Sequence, residues 1–298
     1  MNGATRAQLS DGRWHLQHGP IDLVIAADGE AEAVAAAHAA AWARFESLLG
    51  ELVAELPLLR RPLQPDAQPA LQGAVARRMV AACLPFAGHI FITPMAAVAG
   101  AVAQEIVAAY QRPGIARAWV NNGGDIALHL ADGASATVGL YADLSRFDAG
   151  AAARTVAGQG TVDGRFTVHA ASPVRGVATS GWRGRSFSLG IADSVTVLAA
   201  TAAQADAAAT VIANAVNVAH PAIQRRPANL LRDDTDLGEI LVTTDVPSLP
   251  PDLVRQALAQ GLRCAQALQR QGLLIDAALV CQGSLARTPE SQPLQCLA

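Results

Sequence analysis

Asp206, Thr210, Asn214 and Asn217 recur within 202–218, AAQADAAATVIANAVNV, a segment that is otherwise almost wholly apolar. At the helical repeat these four side chains fall within about 80° of one another and form one narrow polar stripe. Val211, Ile212, Val216 and Val218 occupy the rest of the circumference. A helix this apolar is expected to be buried, and a buried carboxylate needs a partner because its desolvation is costly. An Asp and a Thr oxygen one turn apart can meet on a single hard cation such as a phosphate-bound Mg²⁺. An arginine, or the free amides of a neighbouring backbone, would satisfy Asp206 equally well.

Three further segments carry polar chemistry. NNGGDIALHL at 121–130 sets Gly123, Gly124 and Asp125 in a turn between strands. There the glycines allow positive φ and close approach of a ligand, and the acid can orient a hydroxyl or an amine. The same letters also suit an ordinary hairpin turn. GVATSGWRGRS at 176–186 offers the hydroxyls of Thr179 and Ser180, the backbone of Gly181, and Arg183 and Arg185 close behind. That set is a competent phosphate cradle, or else an ST-turn with surface arginines. FITPMAAVAGAVAQE at 91–105 opens a helix behind Thr93 and Pro94, and the free amides of its first turn can hold an anion.

Taken in order, the TPM helix, the GGD turn, the TSG turn, the strand SVTVLA and the helix ADAAAT resemble the ApbE superfamily of flavin transferases, and most of all its UPF0280 branch. The resemblance covers roughly 90–218, and the N-terminal hairpin and helix suit the same branch. It implies a T-fold-like α+β architecture with mainly antiparallel sheets packed with helices, and Mg²⁺-dependent handling of FAD. The transferases of the superfamily attach FMN to a threonine or serine of an acceptor protein. By the same resemblance Asp206 and Thr210 stand at the metal positions. Gly123, Gly124 and Asp125 form the GGD turn, and Thr179, Ser180 and Gly181 form the turn near the diphosphate. Thr93, Arg183 and Arg185 join them as expected cofactor contacts, with FAD or FMN as the ligand. The chain departs from the pattern at one point: Ser186–Leu189 stand where the transferases carry a catalytic His. His129 and Asp193 are the candidates for a substitute acid or base. A protein that binds the cofactor without transferring it is the alternative reading.

Composition narrows the field further. All 22 basic residues are arginine, which excludes Schiff-base chemistry and a phosphate-loop lysine. With a net charge of −3 and no basic block, the chain lacks the electrostatic footprint of a nucleic-acid binder. The four cysteines, at 83, 264, 281 and 296, have no zinc-ligand spacing and read as reduced thiols. No clean transmembrane span and no apolar leader are evident, so a cytoplasmic protein without a membrane partner is expected. Small-molecule cofactor and acceptor protein are the expected partners, and the alanine-rich helices suit a homo-oligomer interface.

These groups must be positioned by elements that periodicity and turn chemistry place as follows. Strands are expected within 14–27, at 115–120, 126–130, 137–141, 185–192, 194–200, 239–244 and 274–281. Helices are expected at 29–53, 73–83, 94–110, 202–218 and 251–272. The stretch 145–175 reads as surface winding, 219–238 as a loop, and the last dozen residues as loosely ordered. The proline-rich 57–72 is expected to be a connection, either within a single ApbE-like domain spanning 1–298 or between two packed lobes of it.

Overall fold

A computed structural model describes residues 3–140 and 164–289. In chain order it contains β1 (Thr5–Gln8), β2 (Trp14–His18), β3 (Ile21–Gly29), α1 (Ala31–Leu59), α2 (Ala74–Cys83), α3 (Val98–Val107), β4 (Ile115–Asn122), β5 (Asp125–Leu130) and β6 (Ser135–Leu140). There follow β7 (Gly164–His169), β8 (Gly176–Ser180), β9 (Ser194–Ala199), α4 (Ala202–Ala215), β10 (Gln224–Pro227), β11 (Leu241–Asp245), α5 (Pro251–Arg270), β12 (Asp276–Cys281) and β13 (Ser284–Arg287). The fold is α+β with antiparallel pairing at every ladder whose register is defined.

The described residues group into two compact units, the first made of 3–136, 169–178 and 199–207. Its sheet runs β1-β2-β3-β4-β5-β8. Strand β3 alternates buried Ile21, Leu23 and Ile25 with more exposed neighbours, the period-2 pattern of a sheet with one covered face. Helix α1 covers that face with Ala37, Ala41, Phe45, Leu48, Leu49 and Leu52, a stripe at helical spacing. Helix α3 lies on β4 and β5 and buries Gly100, Ala101, Val102, Ala103, Ile106 and Val107. Arg44, Arg78 and Glu105 tie α1, α2 and α3 together, with the Glu105 carboxylate accepting from Arg44 Nε at 2.7 Å and Arg78 Nη1 at 2.8 Å.

The second unit comprises 137–140, 164–168, 179–198 and 208–289. Strand β9 is buried at all six positions and pairs with β12, which pairs with β13. Helix α5 packs on β12 and β13 through Val254, Ala257, Leu258, Gly261, Ala265 and Leu268. A Cβ on Gly261 would overlap Val216 and fall 2.8 Å from Leu279 Cδ2, so only glycine lets this helix sit so close. Strands β10 and β11 form a separate antiparallel ribbon.

Several elements differ from what the letters suggest. Residues 185–192 form no strand; bends and irregular backbone replace it. Helix α1 runs on to Leu59 and contains Pro57, so the proline-rich connection begins a turn later; all of 57–72 lies in the first unit. The segment 94–110 opens with a 3-10 turn at Pro94–Ala97 and closes with another at Ala108–Tyr110. Helix α4 ends at Ala215, which leaves Asn217 beyond it. The expected loop 219–238 includes β10, and β1, β7 and β13 are strands that periodicity over so few residues does not reveal. Of the expected surface winding, 145–163 lies outside the described residues, as do 290–298 of the C-terminal dozen. Among the described residues no helix is long and apolar enough to cross a membrane. Cys83, Cys264 and Cys281 are free thiols, and burial pushes the Cys281 thiol up to about 12.

Candidate functional site

Asp206 stands in the first half of α4, half-buried, and it meets the start of α3. The amide of Gly100 donates to Asp206 Oδ2 at 2.9 Å, and the amide of Ala99 donates as well. Glycine is required at 100 by this approach: a Cβ there would fall 2.9 Å from the Cβ of Asp206 and closer still to the carbonyl of Ala202. The anion at the first turn of α3 is thus the protein's own carboxylate, a favourable place for negative charge. Of the partners open to Asp206, backbone amides are the ones found.

Those amides do not settle the charge. Withdrawal from water is the largest influence on Asp206, and the nearby Asp125 carboxylate adds repulsion. Together they outweigh the amide donors and hold Asp206 well above the usual carboxylate range. Its negative field also reaches the buried Cys83, whose thiol is pushed up chiefly by burial. Asp125 and Asp206 are far apart in sequence, and the fold brings them together because α3, which receives Asp206, lies on the hairpin that carries Asp125. Two carboxylates near enough to repel, in a partly desolvated place, favour either a retained proton or a bound cation.

Asp125 owes its position to a two-residue hairpin. Asn122 pairs with Asp125 across the turn, while Gly123 and Gly124 take φ of 66° and 113°, values that glycine adopts without penalty. Asn121 Oδ1 accepts the Gly124 amide at 2.8 Å, and the buried Asn122 donates through Nδ2 to the Ala99 carbonyl at 3.1 Å. This last bond fixes the hairpin tip against the same first turn of α3 that Asp206 caps. Thr93, buried upstream, accepts the Met95 amide at 3.2 Å and so starts the 3-10 turn that leads into α3.

In the second unit Thr179 and Ser180 end β8, and the Thr179 hydroxyl shares a 3.0 Å hydrogen bond with that of Thr196. Gly181 follows, with no room for a side chain: a Cβ would fall 2.9 Å from the carbonyl carbon of Asp193. The Trp182 amide donates to the Ala192 carbonyl at 3.0 Å and its indole to Asp193 Oδ1 at 3.4 Å. Asp193 Oδ2 accepts the Gln282 amide at 2.5 Å. Asp193 therefore holds this turn in shape, and its carboxylate is engaged on both oxygens. Arg183 and Arg185 are exposed, the Arg183 guanidinium lying 4.8 Å from the centre of the Trp182 ring.

The remaining candidates divide. Thr210 is one turn beyond Asp206 on α4, half-buried. His129 is on the strand of Asp125 but about 13 Å further along it, its Nε2 3.4 Å from the Ile115 carbonyl. The lower half of the polar stripe is structural. Asn214 Oδ1 accepts the Leu189 amide at 2.8 Å and the Ser188 hydroxyl at 3.2 Å, and Asn217 Nδ2 donates to the Leu189 carbonyl at 2.9 Å. These bonds fasten Ser188 and Leu189, part of the segment where a catalytic His is expected. Among the described residues no group of three or more His, Cys, Asp or Glu is arranged to hold a metal, so a cation here needs hydroxyl, carbonyl or ligand oxygens as well.

Residues 6–287 match the family profile described as AbpE bacteria. The chain is 35% identical over 205 residues to a UPF0280 protein of Methanosphaerula palustris, covering 68% of this chain and 77% of the relative. It is 42% identical over 127 residues to a UPF0280 protein of Methanothermobacter thermautotrophicus, covering 42% of this chain and 43% of the relative. The chain spans less than half the length of that relative and of the UPF0280 protein of Methanospirillum hungatei, where the share is 47%. Among solved structures it is similar to the apo form of the Pseudomonas stutzeri flavinyl transferase ApbE, at 12% identity and a TM-score of 0.42, covering 97% of this chain and 94% of that one.

Proposed function

This chain belongs to the ApbE-like UPF0280 family, and from that premise we propose that it is a Mg²⁺-dependent protein that binds FAD or a related diphosphate cofactor and acts on it as a flavin transferase or FAD hydrolase. The observation that carries the reading is the pair of carboxylates at Asp125 and Asp206, one of them held well above its ordinary pKa. The donor set suits the ion: two carboxylates with the Thr210 hydroxyl a turn away are hard oxygen ligands of the kind Mg²⁺ takes, with water and phosphate oxygens completing the shell. When bound, Mg²⁺ supplies Lewis-acid neutralisation of diphosphate oxygens.

In this reading Asp206 and Thr210 hold the cation from α4, and Asp125 adds charge from the GGD turn. Thr93 and the tip formed by Gly123 and Gly124 flank the ligand. By the family resemblance, Thr179, Ser180 and Gly181 are the expected cofactor contacts of the second unit, and Arg183 and Arg185 its expected partners for phosphate charge. The acceptor of a transferred FMN is a Ser or Thr of another protein.

One observation favours the second reading, a cofactor-binding protein without transfer. Ser188 and Leu189 occupy the His-bearing segment and are tied to Asn214, while Asp193 is committed to Trp182 and Gln282. Incubation with FAD, Mg²⁺ and a Ser/Thr-containing acceptor, followed by chromatography for released AMP and mass spectrometry of the acceptor, separates the two. AMP with flavinylated acceptor supports transfer, and AMP with free FMN supports hydrolysis. Bound FAD recovered intact supports the binding protein. No retention of FAD at all overturns both.

A further inference from the structure

The β10–β11 ribbon holds a cation and two hydroxyls that the flavin reading does not use. Arg225 is half-buried, and its guanidinium sits below its usual pKa because it is withdrawn from water. No acidic group among the described residues offsets that loss. Its hydrogen bond runs from Nη2 to Asn217 Oδ1 at 2.7 Å, and Asn217 is itself anchored through Nδ2 to the Leu189 carbonyl at 2.9 Å. The guanidinium is thus aimed, with donors to spare.

Directly across the ribbon, Arg225 pairs with Thr243, which is 5% exposed and whose Oγ1 is buried without a hydrogen-bond partner. Residues directly opposite on an antiparallel pair present their side chains to the same face, with Cβ atoms roughly 5 Å apart. The register then slips: Gln224 pairs with Asp245, so Thr244 is the extra residue of a bulge. Its Oγ1 too is buried and unpartnered. Bulges re-aim side chains beside functional sites, and buried hydroxyls without partners are rare enough to require an explanation. The Thr243 amide donates to the Ser188 carbonyl at 2.8 Å, which holds the backbone of the strand at this point.

We propose that Arg225, Thr243 and Thr244 form a binding site for a phosphoryl group, with Asn217 as the positioning residue for the guanidinium. A guanidinium fork takes two oxygens of a phosphate side by side, and hydroxyl donors take a third. A phosphate has a further oxygen for the hydroxyls beyond the two in the fork, whereas a carboxylate has only those two, so the donor set favours phosphate. The site draws on none of the residues assigned to the cation, and it stands whether or not flavin is the cofactor.

The test is calorimetric titration of the full chain in EDTA, at constant ionic strength, with inorganic phosphate, pyrophosphate, ADP and acetate. Saturable binding of phosphate or pyrophosphate, with acetate at least tenfold weaker, is expected. Arg225→Gln should weaken that binding tenfold or more. Thr243→Val, which keeps the shape and removes the orphaned hydroxyl, should weaken it several-fold while the ligand-free protein melts at the same or a higher temperature. Tighter binding of ADP than of pyrophosphate assigns the phosphoryl group to a nucleotide, and equal or weaker binding assigns it to a free anion; both support the site. Absence of saturable phosphate or pyrophosphate binding, or affinity unchanged in both variants, overturns it.

Discussion

Replacing Asp206 by Asn tests the carboxylate pair with the least disturbance to shape. The amide side chain still offers an oxygen to the Gly100 and Ala99 N–H groups, so the loss on that side is two charge-assisted hydrogen bonds becoming at best neutral ones, about 1 kcal/mol each. Against it stands a gain, because the variant no longer places a desolvated charge beside Asp125. Each pKa unit by which Asp206 is raised corresponds to about 1.4 kcal/mol that the ionised form costs the fold above that pKa. The cation-free variant is therefore expected to be as stable as the parent or more so at pH 8. Mg²⁺ should invert the order. At one hundred times its dissociation constant the ion stabilises the parent by about 2.7 kcal/mol, roughly a 5 °C rise in Tm for a chain of this size. Asp206→Asn should show no such rise. Thermal melts of both proteins in EDTA and in graded Mg²⁺ give all four numbers, and equal Mg²⁺ shifts in the two would refute the reasoning.

Three further outcomes are expected. In EDTA the parent should lose stability as pH rises from about 4, the ordinary carboxylate value, through the higher pKa of folded Asp206, because the folded state holds a proton that the unfolded chain has released. Urea melts across that window should show the decline, and saturating Mg²⁺ should flatten it. Asn214→Ala strands the Leu189 amide and the Ser188 hydroxyl and should cost about 1–3 kcal/mol, read as a lower urea midpoint with an unchanged slope. The double variant Arg183→Ala and Arg185→Ala should leave the melt within about 1 kcal/mol of the parent, since both side chains are exposed, yet weaken FAD binding in Mg²⁺ by up to tenfold. Calorimetry on the double variant checks the second part.

The polar stripe of α4 shows what could be read from letters and what could not. Periodicity put Asp206, Thr210 and Asn214 on one face of a buried helix, and that face is where polar partners are found. It could not say that the stripe divides by role, because the partners of Asp206 are amides of α3 while those of Asn214 belong to the segment before β9. The hairpin at Gly123 and Gly124 was legible because a turn with two positive φ values demands such residues locally. The approach of Asp125 to Asp206 was not, since it depends on α3 lying across β4 and β5. Residues 185–192 alternate polar and apolar letters as a strand would, but their backbone is captured by side chains: Asn214 takes the Leu189 amide and Asn217 its carbonyl. Arg225 and Thr243 fell in a presumed loop and a short strand, and only their register makes them neighbours.

FAD binding by the wild-type chain can be followed by flavin fluorescence in Mg²⁺ and then after addition of EDTA. A Mg²⁺-dependent flavin site gives saturable binding in Mg²⁺ that is reversed by the chelator and is absent in Asp206→Asn. Binding that survives the chelator undiminished, or no binding in either condition, would contradict it.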